Sequence, residues 1–253
     1  MAALPPPMRP PPNPNRHDAA FFRRPVQDLV KSMPKGAHSA LDKLIEMWNK
    51  TPDYEHGAFG SRNRASEVEM VPGKYNDKLI WPSRHKYKMR DKPYDKFDMH
   101  DHPPASPQFE FTVPPSSTDI GVNRMYPGAE SYVIGRSKPG DITIDLIRHD
   151  KRLPPYSSDK EKEAYEHFMT QHLSDEMEKR FSGYLGNELS VLESGPGGAA
   201  HRAIMEDLAN KNFFDYIYGS SSPVDAQHFE EARGKKLGPS EAFSTLSNFL
   251  KLP

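Results

Sequence analysis

The sequence predicts a mainly α protein with long irregular segments. It has an extended proline-rich N-terminal arm, short helices, one candidate β-hairpin and a C-terminal helical bundle built on one long helix. Three observations lead there. Proline makes up 26 of 253 residues, and 22 of those precede residue 156, so the first 155 residues cannot hold long helices or central strands. The only long proline-free window, between Pro155 and Pro196, carries a helical apolar period. Leu, Ile, Val and Phe together number 47 of 253, a poor supply for a large self-contained core.

Five segments follow from this: 1–24 an arm, 25–52 a short helical hairpin, 53–130 an irregular basic and aromatic stretch, 131–155 the β-hairpin, and 156–253 a helical region. The arm holds Pro5-Pro6-Pro7 and Pro10-Pro11-Pro12, which favour polyproline II lying on a neighbour. Phe21 and Phe22 open an apolar patch, and Pro25 suits a first helical turn ending by Met33. A second helix covers Ser39 to Lys50, where Leu41, Leu44, Ile45 and Trp48 fall at i, i+3, i+4 and i+7.

No persistent period appears from Asp53 to Pro115. Within it, Lys74 to Lys92 interleaves Arg84, Lys86 and Lys88 with Tyr75, Trp81 and Tyr87. Such a run can meet nucleic acid, anionic lipid headgroups or an acidic protein groove. The chain as a whole is not basic, at a net charge of −1, which disfavours nucleic acid. Residues 131–134, ending at Gly135, and 142–146, which alternate apolar and polar, read as strands joined through the turn signal Pro139-Gly140.

Ser157 to Leu185 is the long helix. Tyr165, Phe168, Met169, Leu173, Met177 and Phe181 share a stripe, and Ser158 with Glu161 forms a capping box. Beyond the glycine-rich Ser194 to Gly198 come a helix from Ala199 to Asn212 and an aromatic knot of Phe213, Phe214, Tyr216, Ile217 and Tyr218. Two more helices are expected, from Ser222 to Arg233 and from Pro239 onward.

The same residues limit the chemistry. There is no cysteine, so disulfides and thiolate sites are excluded. The glycine-rich loop lacks the Lys-Ser/Thr of a P-loop and reads as a hinge. No serine sits in a nucleophile elbow. The best metal-like cluster is Met99-His100-Asp101-His102: in extended chain both imidazoles project the same way, with Asp98 and Asp101 near. Zinc needs three or four ligands, and no second pair stands at suitable spacing, so the cluster reads as a polar turn. No catalytic residue, cofactor or metal is assigned.

In its extended arm, short amphipathic helices and aromatic stripes, the chain resembles supernumerary subunits of mitochondrial energy-transducing complexes, such as ATP synthase or respiratory-chain complexes. The resemblance implies a non-catalytic accessory subunit, peripheral to the inner membrane, that bridges neighbouring protein subunits. No clear targeting signal accompanies it, and no run is long enough for a membrane span. The expected interface residues are Phe21, Phe22, Leu41, Leu44, Ile45, Trp48, Trp81, Arg84, Lys86, Tyr87, Lys88, Phe168, Leu173, Met177, Phe181, Phe213, Phe214 and Tyr216. The alternatives are an RNA-contacting subunit of a ribonucleoprotein particle and an axonemal lining protein. All rest on one imbalance: few apolar residues, yet many apolar stripes to cover. Stripes and the arm Met1 to Arg16 all packed within this one chain around one sealed interior, beside a polar cleft, would instead call for a catalyst.

Overall fold

A computed structural model describes residues 23–73, 79–103, 112–136, 142–151, 156, 158–180, 196–210 and 213–221. In chain order the elements are β1 (Arg23–Pro25), α1 (Val26–Ser32), α2 (Lys35–Lys50), β2 (Gly57–Ser61), β3 (Glu69–Val71), α3 (Ser83–Arg90), β4 (Lys96–His102), α4 (Ser117–Arg124), β5 (Glu130–Arg136), β6 (Ile142–Arg148), α5 (Asp159–Arg180), α6 (Pro196–Asn210) and β7 (Asp215–Ser220). The seven strands form one mixed sheet in the order β1-β7-β6-β5-β4-β2-β3. The pairs β4–β5 and β1–β7 run parallel, and the others are antiparallel.

This α/β architecture corrects the expectation of a mainly α chain ending in a helical bundle. The aromatic knot is the largest source of the error. Phe213 and Phe214 lead into β7, whose Tyr216 and Tyr218 alternate with half-buried Ile217 in the period of a strand. The expected long helix does form as α5, but it lies with α4 and α6 against one sheet face rather than in a bundle. The stretch 53–130, which shows no period, carries β2, β3, α3, β4 and α4. In β4, KFDMHDH, the alternation Phe97, Met99 against Asp98, His100, His102 is that of a strand. Its polar face turns to a cleft and so lacks an apolar signal. The two segments expected to form a hairpin are β5 and β6, antiparallel neighbours in register Ile134 to Ile144.

Helices cover both sheet faces. On one, α1 and α2 seat Leu29, Leu41, Leu44 and Trp48 over Phe97, Met99, Tyr132 and Ile144. At the start of α2, Gly36 is required by close approach, since a Cβ there would overlap the Ser61 carbonyl oxygen. On the other face, Tyr165, Met169 and Leu173 of α5 meet Ile204, Met205 and Leu208 of α6, with Ile120 of α4 and Ile147 of β6. A third cluster, Phe59, Met89 and Tyr126, lies under α3. His149 ties this side together: its ring meets Asn123 Oδ1 of α4 at 2.7 Å and the Tyr165 hydroxyl of α5 at 3.0 Å. Burial holds that imidazole well below its ordinary pKa, so it is neutral. Among the described residues, the apolar stripes of α1, α2, α5 and α6 are thus covered by the chain's own sheet and helices. Among the described residues, no helix is long and apolar enough to cross a membrane.

Candidate metal centre

The period of β4 puts Phe97, Met99 and Asp101 on the α2 side and Asp98, His100 and His102 on the α4 side. His100 and His102 end the strand with their Nε2 atoms 3.2 Å apart. The chain then passes to α4, which is capped reciprocally: the Asp119 N–H donates to Ser116 Oγ, and the Ser116 N–H donates to Asp119 Oδ2. This box fixes the Asp119 carboxylate over the histidine pair. Its Oδ1 is 3.1 Å from His100 Nε2 and its Oδ2 is 3.5 Å from His102 Nε2. Glu55, just before β2, completes the group; ligand atoms of Glu55, His100 and His102 all lie within 4.8 Å of one another. The cleft encloses about 340 Å³ and is walled by Leu79, Trp81 and Val122, with Asp98, Ser131 and Thr118.

Surrounding groups orient these side chains. His102 Nδ1 lies 3.2 Å from the Pro114 carbonyl oxygen. That contact places the proton on Nδ1 and leaves Nε2 as the lone-pair nitrogen. Behind the same loop, His201 of α6 hydrogen-bonds the Pro115 backbone; burial, with the nearby Arg202 charge, lowers its pKa to about 4. Glu55 is held from both ends. Its Oε2 accepts from the Leu79 N–H at 3.3 Å. Asp101, between the two histidines but on the other sheet face, accepts the His56 N–H and donates its own N–H to the His56 carbonyl. Arg136 pairs with Asp101 and also donates to the Tyr54 carbonyl at 3.1 Å.

The electrostatics show what a bare site must do. Burial alone would push His100 down, yet the Asp119 carboxylate overcomes it and raises the pKa to about 9. Asp119 responds in reverse: burial would raise it, and His100 holds it well below the ordinary carboxylate range. An imidazolium–carboxylate pair is the metal-free form.

A divalent ion fits this donor set. Zinc bonds imidazole nitrogen at about 2.0–2.1 Å, so two nitrogens on one tetrahedral ion stand roughly 3.3–3.4 Å apart, close to the observed 3.2 Å. Two imidazoles and a carboxylate make a three-ligand set that leaves a position open, as catalytic zinc requires. Glu55 offers a carboxylate oxygen within 4.8 Å of both imidazoles, close enough to address a water on the ion.

No family model, curated protein or solved structure matches this chain. The reading therefore rests on the geometry.

The structure also locates the residues singled out in the sequence. Leu41, Leu44 and Trp48 are buried against the sheet, while Ile45 stays partly exposed on the rim of a second, apolar cavity of about 710 Å³. Trp81 walls the cleft. Arg84 and Lys88 are exposed and both pair with Glu69, and Lys86 and Tyr87 point to solvent. Leu173, Phe214 and Tyr216 are buried; Phe168 stacks on Phe213. Phe21, Phe22, Phe181, the Met177 side chain, the arm and the two last expected helices lie outside the described residues. The glycine-rich loop supplies the first turn of α6 from Pro196, a residue suited to a helix start.

His100 and His102 close a buried strand rather than a polar turn. Their partners Glu55 and Asp119 were missed. One signal was present: Ser116-x-x-Asp119, a cap pattern that announces α4 and brings its carboxylate back toward β4. Nothing near Glu55 in the sequence points to it.

Proposed function

We propose that this protein is a metal-dependent hydrolase of an amide-type carbonyl, with His100, His102 and Asp119 as metal ligands and Glu55 as general base. The observation that carries the reading is the convergence of two imidazole Nε2 atoms and the Asp119 carboxylate at 3.1–3.5 Å, with Glu55 beside them. A zinc ion in this set would supply Lewis acidity, lowering the pKa of a water and polarising the substrate carbonyl.

The chain's own residues carry the rest. Glu55 takes a proton from the attacking water as the new C–O bond forms. It then delivers that proton to the amide nitrogen as the C–N bond breaks, so a carboxylic acid and an amine leave and Glu55 returns to its starting form. Leu79, Trp81 and Val122 give the cleft an apolar wall. His102 is held to one tautomer by Pro114, and Asp119 to one rotamer by Ser116.

The accessory-subunit reading rested on stripes that needed another chain. The described stripes of α1, α2, α5 and α6 are instead seated against the sheet, which favours the hydrolase reading.

The test is a mixture of quenched-fluorescent peptides offered to the zinc-loaded chain. Cleavage by wild type that is lost in Glu55→Gln, with zinc retained, is the expected result. Equal cleavage by both, or none by the zinc-loaded wild type across the mixture, contradicts the reading.

A further inference from the structure

One carboxylate of the described cleft lining, Asp98, is neither a metal ligand nor the base in this reading. Asp98 precedes His100 by two residues on β4 and faces the same way, so its Cα lies about 6.6 Å from that of His100. It is 2% exposed, and its Oδ2 has no hydrogen-bond partner among the described residues. His85 Nε2 faces it at 3.6 Å, an ion pair when the imidazole is protonated but too long for a hydrogen bond, and that Nε2 likewise has no hydrogen-bond partner among the described residues. The His85 ring is stacked on Trp81 with centroids 4.4 Å apart and packed edge-on against Phe59 and Tyr126. Asp98 Oδ2 thus has an ionic neighbour but no hydrogen-bond donor, and a buried acceptor gains from a donor that reaches it.

The cleft around Asp98 has the character of a cation site. Its described lining includes Glu55, Asp98 and Asp119 and contains neither Lys nor Arg. Trp81, stacked on His85 by one face, adds an aromatic wall to the cleft suited to an alkyl stem. Across from Asp98, its register partner Ser131 on β5 supplies a hydroxyl at the same level.

We infer that Asp98 is the specificity-determining residue of this cleft and selects a basic side chain, Lys or Arg, flanking the scissile amide. The inference rests on the hydrolase reading, because the metal fixes where the scissile carbonyl lies. The stem of the substrate side chain runs along β4 over Trp81. Its ammonium or guanidinium then donates to Asp98, about two residues along the strand from the metal.

The chain has two tryptophans. Trp81 is in the cleft and Trp48 is on the opposite sheet face, so each indole N–H signal in an NMR spectrum serves as probe and control. The zinc-loaded full chain is titrated with Nα-acetyl-lysine methylamide and with its neutral isostere, Nα-acetyl-norleucine methylamide. The lysine compound should move the Trp81 signal and leave Trp48 still, and bind at least about tenfold tighter than the norleucine compound. Asp98→Asn should erase that preference at unchanged zinc stoichiometry. Equal binding of the two compounds by wild type, or a preference that survives Asp98→Asn, overturns the inference and leaves the hydrolase reading intact. A chain that takes up no zinc overturns both.

Discussion

Asp101 and His56 are joined twice: the His56 N–H donates to Asp101 Oδ1, and the Asp101 N–H donates to the His56 carbonyl at 2.9 Å. Asp101 stands between the two candidate ligands His100 and His102, and His56 follows the candidate base Glu55. One residue on the far sheet face therefore sets the distance between base and ligands. Its second oxygen is occupied by Arg136, itself buried.

Replacing Asp101 by Ala should cost about 3–5 kcal/mol, since Arg136 is left buried without its counter-charge. Thermal unfolding reads that loss. Amide exchange at His56 should quicken with it. A melt within about 0.5 kcal/mol of wild type would show that the pair does not hold the Glu55 segment.

These relationships explain what the sequence could and could not reveal. The helix α2 was legible because Leu41, Leu44 and Trp48 repeat at helical spacing and one face is buried. The strands β5 and β6 were legible because β5 carries the short apolar run Tyr132-Val133-Ile134 ended by Gly135 and β6 alternates apolar and polar. β4 was not, because Asp98, His100 and His102 face a cleft and, on the opposite side, only Phe97 and Met99 are apolar beside buried Asp101. β7 was hidden by aromatic density, which suits a strand as well as a helix. The site itself joins residues 55, 100, 102 and 119 through sheet pairing of β2 with β4 and the cap of α4. Such long-range pairing leaves no local period, so only the His-x-His half could be seen.

Glu55→Gln should leave zinc content unchanged and lower turnover by about 10²–10⁴-fold, the usual loss for a general base. Asp119→Ala should lose the metal itself. Peptide cleavage and metal analysis of the same samples separate the two roles. Zinc lost from Glu55→Gln would make Glu55 a ligand rather than a base.

Metal binding should depend on pH with a defined sign. His100, raised to about 9 in the metal-free form, must lose its proton before it can ligate. Between pH 7 and 9 zinc affinity should rise about tenfold per unit and then level, which titration calorimetry would follow. Metal-free stability should run the other way. The folded pKa exceeds the ordinary 6.5, so the contribution of His100 is complete below 6.5 and is lost as pH climbs through 9. Asp119→Asn should remove that decline in the melting temperature.

The buried pair of Arg202 on α6 and Asp145 on β6, 3.2 Å apart, fixes α6 to the sheet, and the Tyr216 hydroxyl donates to the same carboxylate. Arg202→Met alone should cost about 3–5 kcal/mol, whereas Arg202→Met with Asp145→Leu should recover much of it. Denaturant unfolding of the single and double variants makes the comparison. A double variant no more stable than the single one would mean that the hydroxyls around the pair, not the charge balance, set the cost.

The most direct measurement is the zinc content of the purified chain by elemental mass spectrometry, after exposure to excess zinc and removal of unbound ion. One equivalent in wild type, falling to near zero in both His100→Ala and Asp119→Ala while the fold is kept, is the expected result. Wild type without zinc, or variants that hold as much as wild type, would contradict a metal at His100, His102 and Asp119.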